Sequence, residues 1–159
     1  MARKQKPGKF KYGLDAVLKV REIKEIKEQE KFADKQRTYL TEKEKEEALK
    51  EQERTRKNEL KKMIGGGPIP DFANVLRRQA HLGVLKQDVN KQIQQVIEAQ
   101  KKLEEQRENL IHSMKDRKII EKDKENKLED YNKMMKELES KFMDEIATER
   151  FKNIHYSND

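Results

Sequence analysis

The chain is interrupted once. Residues 65–70 read GGGPIP, three glycines and two prolines in six positions, whereas residues 14–64 and 84–159 contain neither type. In a helix interior Gly and Pro cost about 1 and 3 kcal/mol relative to Ala. A sequence that withholds both over two long stretches and concentrates them at one place encodes two long helices and one reversal. Gly65 can take the left-handed conformation that ends a helix, and the prolines prevent continuation. Six residues are enough for an αα-hairpin. A triple glycine also suits a phosphate loop, but the Gly-Lys-Ser/Thr ending and a preceding strand are missing.

Composition agrees. Only 33% of residues are hydrophobic, 43% are charged and there is no Trp. An ordinary globular core is excluded, because too little apolar surface is available to offset chain entropy of ~1–2 kcal/mol per residue. A disordered polyampholyte or a long-helix protein with a narrow apolar seam remains. Periodicity selects the second. From residue 82 the series Leu82, Lys86, Val89, Ile93, Val96, Gln100, Leu103, Arg107, Leu110, Met114 steps by four and three, the 3.5-residue period of a coiled-coil stripe. Charged Arg117, Glu121 and Lys124 follow, which predicts a locally weak stretch over 115–127. The stripe returns at Leu128, Tyr131, Met135, Leu138 and Phe142, with Ile146 one position late. Asp71, ahead of this run, is a candidate N-cap.

The first stretch has a weaker seam through Leu14, Val17, Leu18, Ile23, Ile26, Ala33, Leu40, Leu49, Leu60 and Met63. Its drift between Leu40 and Leu49 reads as a stutter. The expected fold is all-α: two long helices in an antiparallel coiled-coil hairpin, the second longer. The expected organisation is a basic flexible tail over 1–12, helix one over 13–64, a turn over 65–70, helix two over 71–153 and a tail over 154–159. Residues 128–151 are expected to extend beyond the hairpin. Reversal near residue 67 pairs positions whose numbers sum to about 135, such as Leu40 with Val96 and Ala33 with Leu103.

The net charge of +7 is concentrated at the start: residues 1–12 hold five basic groups and no acid, and the other 147 hold 33 basic and 31 acidic groups. The mixture in the body reads as a solvated helix face with i,i+4 pairs. A nucleic-acid surface would need a segregated basic patch with aromatics, and only the tail segregates. No specific nucleic-acid partner is expected. Cysteine is absent, which excludes disulfides and thiolate metal sites. His81, His112 and His155 stand apart, with no i,i+4 pair to start a metal site. No nucleophile stands beside a base, and a narrow helical rod offers no concave pocket. Neither an enzyme nor a cofactor is expected. The basic start has no apolar segment behind it, so no secretory signal is expected, and no apolar run approaches the ~18 residues of a membrane span.

Three stretches carry a resemblance. They are KFKYGLDAVLKVREIKEIKEQEKFA at 9–33, RRQAHLGVLKQDVNKQI at 77–93 and DEIATERF at 144–151. With the central break between them, they resemble the FliJ family of flagellar export proteins over nearly the whole chain. The resemblance implies a cytoplasmic component of the type III export apparatus, peripheral at the inner face of the membrane. Such a component acts as the central stalk of a hexameric export ATPase, links it to the membrane export gate and handles export chaperones. ATPase contacts carry over to Phe10, Tyr12, Leu14, Leu18 and Arg21, and to Leu138, Phe142, Ile146 and Phe151. Gate contacts carry over to Leu82, Leu85 and Val89, although His81 stands where the family favours an aromatic. The alternatives are the stalk of a virulence secretion system, or a structural or chaperone-like coiled coil without an ATPase partner.

Overall fold

A computed structural model describes residues 9–68 and 71–156, with side chains to residue 152. Expectations for the first eight residues, for Ile69 and Pro70, for His155 and for the last three residues lie outside that range. The described residues are all-helical. Helix α1 spans Asp15–Gly65 and helix α2 spans Phe72–Tyr156, and together they form an antiparallel coiled-coil hairpin whose second helix is the longer.

Local chemistry sets the helix ends. Asp15 lies in the first turn of α1, where a carboxylate complements the helix dipole, and Lys62 lies in the last. Asp71 caps α2: its Oδ1 accepts the Asn74 N–H at 3.0 Å. The left-handed glycine is Gly67, at φ +117°, and not Gly65, which still belongs to α1. A run of three glycines leaves the choice of the positive-φ residue open, because each tolerates it equally.

The fold divides into two compact units. In the unit Lys24–Ser113, cross-helix hydrogen bonds fix the register. The pairs Glu59–Arg78, Glu42–Gln92 and Glu28–Gln106 have numbers summing to 137, 134 and 134, close to the predicted 135. The seam of α2 here runs through Val75, Leu82, Leu85, Val89, Gln92, Val96, Ala99, Leu103, Gln106, Leu110 and Ser113, all buried or half-buried. Half of this stripe was legible. The other half falls one residue earlier than expected, with Leu85, Gln92, Ala99 and Gln106 in place of Lys86, Ile93, Gln100 and Arg107.

The matching seam of α1 is strictly heptad: Glu25, Glu28, Phe32, Tyr39, Glu42, Glu46, Leu49, Glu53, Leu60 and Met63. No stutter exists. The apparent drift came from following Ile26 and Leu40, which face outward with 54% and 51% exposure. Glu25, Glu28, Glu42 and Glu46 sit in the seam with a cation or amide within reach of each. Glu46, 4% exposed, accepts from Lys50 and from Lys43, the latter at 3.1 Å. Those two ammonium groups hold its carboxyl below the usual glutamate range. Among the described residues, no buried side-chain polar atom lacks a partner.

The second unit combines residues up to Ile23 with those from Met114 onward. Its core is small: Tyr12 and Leu18 are buried against α2. The charged stretch expected to be weak is cross-braced. Arg21 bonds Asp116 at 2.6 Å, and Lys124 bonds Asp15 at 2.7 Å.

Candidate functional site

The residues singled out for ATPase contact fall into two groups with different fates. In the N-terminal group, the Tyr12 hydroxyl donates to Asp123 Oδ2 at 2.6 Å and reaches the Ile120 carbonyl at 3.3 Å. The Lys124 and Lys127 ammonium groups sit 5.8 and 5.5 Å from its ring centroid, within cation–π range. Burial, reinforced by the Asp123 carboxylate, pushes the Tyr12 phenol up to about 12. The same hydrogen bond, with help from Lys127, lowers the Asp123 carboxyl. Phe10 meets Tyr131 at 5.5 Å between ring centroids. Phe10, Tyr12, Leu18 and Arg21 are thus engaged inside their own unit, and Leu14 is the member left exposed. Sequence reasoning missed the lock between Tyr12 and Asp123, because nothing in a linear pattern marks a contact across 111 residues.

In the C-terminal group, Leu138, Phe142 and Phe151 are 49%, 47% and 64% exposed, and Ile146 is half-buried. Leu138, Phe142 and Ile146 follow i,i+4 spacing, so they share one face of α2. Met134 and Met143 add further exposed apolar surface to the same segment.

The gate-contact candidates lie along the seam of α2. Leu85 and Val89 are buried at 6% and 5% exposure in the seam, and Leu82 is half-buried beside them.

One feature of charge escaped the sequence reading. Residues 55–87 contain seven basic and two acidic residues, a segregation hidden when charge is averaged over the whole body. Asp71 is engaged as an N-cap, and Glu59 is held by Arg56 at 3.1 Å and Arg78 at 3.3 Å. All seven basic side chains are exposed.

Among the described residues, no group of three His, Asp or Glu side chains could hold a metal ion, and no helix is long and apolar enough to cross a membrane. The arrangement offers surfaces for binding, built on helices. Neither a curated protein nor a solved structure matches the chain. The family model described as flagellar FliJ protein matches residues 10–154, which includes the braced N-terminal segment, the turn and the exposed end of α2. The chain therefore belongs to the FliJ family and is a component of flagellar protein export.

Proposed function

We propose that this protein is the non-enzymatic stalk of the hexameric export ATPase, and that it binds through the exposed face of α2 formed by Leu138, Phe142 and Ile146. The observation that carries the reading is the half-exposed Phe142 and Leu138 on one stripe of a charged helix. A large aromatic on such a strip is the type of residue that anchors an interface. Phe10, Tyr12, Leu18 and Arg21 act indirectly in this reading: they brace the start of the same helical segment. Contact with the export gate through Leu82, Leu85 and Val89 requires α1 and α2 to part locally. Handling of export chaperones, and a cytoplasmic position at the inner face of the membrane, follow from the same family role.

The test is capture of the protein by immobilised export ATPase. Phe142→Glu and Leu138→Glu are each expected to weaken capture at least ten-fold, with helicity and mass in solution unchanged. Full capture of both folded variants would overturn the assignment of this face.

A further inference from the structure

We propose that the turn end of the unit Lys24–Ser113 is a docking surface for an anionic phospholipid bilayer. The observation is a coincidence of charge and exposed apolar groups at one place. Residues 55–87 carry seven basic and two acidic residues, and both acids are already occupied, Asp71 by the N-terminus of α2 and Glu59 by two arginines. Lys57, Lys61, Lys62, Arg77 and Lys86 are exposed with no acidic partner among the described residues. Amid these cations Ile64, Phe72 and Leu76 are 50%, 64% and 51% exposed.

Heptad geometry aligns the two classes. In each helix the residues one place after a seam position lean to the same side, and because the helices are antiparallel that side is shared. Lys61 and Ile64 on α1 and Leu76 and Lys86 on α2 follow the seam residues at 60, 63, 75 and 85, Lys57 lies one turn before Lys61, and Phe72 lies one turn before Leu76, so all six hold this side. One flank of the turn end therefore presents apolar side chains rimmed by lysines. That is the chemistry of an interfacial membrane contact: apolar groups enter the acyl boundary while basic groups meet the headgroups. A nucleic acid would be served by the charge but not by exposed Ile64 and Leu76, and a single aromatic gives no stacking platform. The surface shares no residue with the proposed ATPase-contact face, which lies beyond residue 131, so either assignment can fail without the other.

The test uses the full chain and its lack of Trp. Phe72→Trp installs the only indole, and its emission is followed on titration with vesicles of phosphatidylglycerol or of phosphatidylcholine. A blue shift is expected with the anionic vesicles alone. Adding Lys57→Gln and Lys61→Gln should weaken the association by roughly five-fold for each charge removed. Neutralising Arg3, Lys4, Lys6 and Lys9 with Gln controls for the basic N-terminal segment and should leave the blue shift in place. Vesicle co-sedimentation without a blue shift, or binding abolished by the N-terminal changes and untouched at Lys57 and Lys61, would overturn the proposal. So would DNA at equal phosphate concentration displacing the vesicles completely, which would identify a general polyanion surface.

Discussion

A single position decides whether Leu85 or Lys86 belongs to the core. The expected stripe contained Lys86, and the fold buries Leu85. Leu85→Ala should cost about 2–4 kcal/mol, because it removes a packed side chain and leaves a cavity. Lys86→Ala should stay within about 0.5 kcal/mol, as a surface change. Urea denaturation of the two variants reads the difference. Tyr12 gives a second residue-scale outcome. Its folded pKa of about 12 lies above the unfolded value of 10.0, so the neutral phenol favours the folded state. That contribution is complete below pH 10 and is lost as pH rises from 10 to about 12. The melting temperature of the native protein should therefore fall more steeply over this interval than that of Tyr12→Phe. Parallel curves would mean that the phenol titrates alike in both states.

At the scale of elements, the hairpin register rests on a repeated device. Gln92 Nε2 donates to both the carbonyl and the carboxylate of Glu42, at 3.0 and 2.6 Å. Gln106 does the same to Glu28, at 3.3 and 2.5 Å. The two clamps lie 14 residues apart on each helix, about 21 Å at ~1.5 Å per residue. Gln92→Ala and Gln106→Ala should each lower stability by about 1.5–3 kcal/mol, the range for hydrogen bonds to charged groups. At this separation the double variant should be additive within about 0.5 kcal/mol. The clamps also give stability an acid limit. Glu28 is held below the usual glutamate range chiefly by Lys31 and Gln106, Glu42 by Lys45 and Gln92, and Glu46 by Lys50 and Lys43. Depressed carboxyls contribute fully above their unfolded pKa and lose that contribution as pH falls through the folded one. Thermal melts should therefore weaken below the ordinary glutamate range, and less so for Glu46→Gln.

The same elements show what the sequence made legible. The break at 65–70, the long helices and the pairing sum followed from Gly/Pro placement and from apolar positions 82, 89, 96, 103 and 110. The remaining seam was misplaced by one residue because apolar periodicity marks apolar side chains alone, whereas the fold puts Gln92, Gln106 and Ser113 inside and leaves Ile26, Leu40 and Ile97 outside. A polar seam satisfied by cross-helix amides cannot be told from a solvated face until both helices are in register. Of the candidate site residues, the sequence located the exposed Leu138 and Phe142. Leu18 belongs to the expected seam of the first helix and is buried, but Tyr12 falls in the expected tail, and its bond to Asp123 depends on which residues the pairing brings beside it.

At the scale of the whole molecule, the length of α2 from 132 to 152 differs from the rest of the hairpin in how much of its apolar surface is covered. Over 82–113 the seam residues are buried or half-buried on every heptad, and from 114 to 131 the helix is braced by Arg21, Asp15, Tyr12 and Phe10. Farther on, Leu138, Phe142, Met143 and Phe151 remain about half exposed or more. Few buried contacts mean a low free energy of local opening. Amide hydrogen exchange of the free protein should thus be slow over 82–113, intermediate over 114–131 and fastest over 132–152. The binding proposal turns that gradient into a footprint. Ordering at an interface raises the opening free energy of the segment that is bound, so adding the export ATPase should slow exchange over 132–152 while 82–113 stays unchanged. Slowing over 82–113 with no change beyond 132 would move the contact to the hairpin seam. Slow exchange over 132–152 in the free protein would show that this segment is already covered, and the ATPase-contact face would then have to be sought elsewhere on the chain.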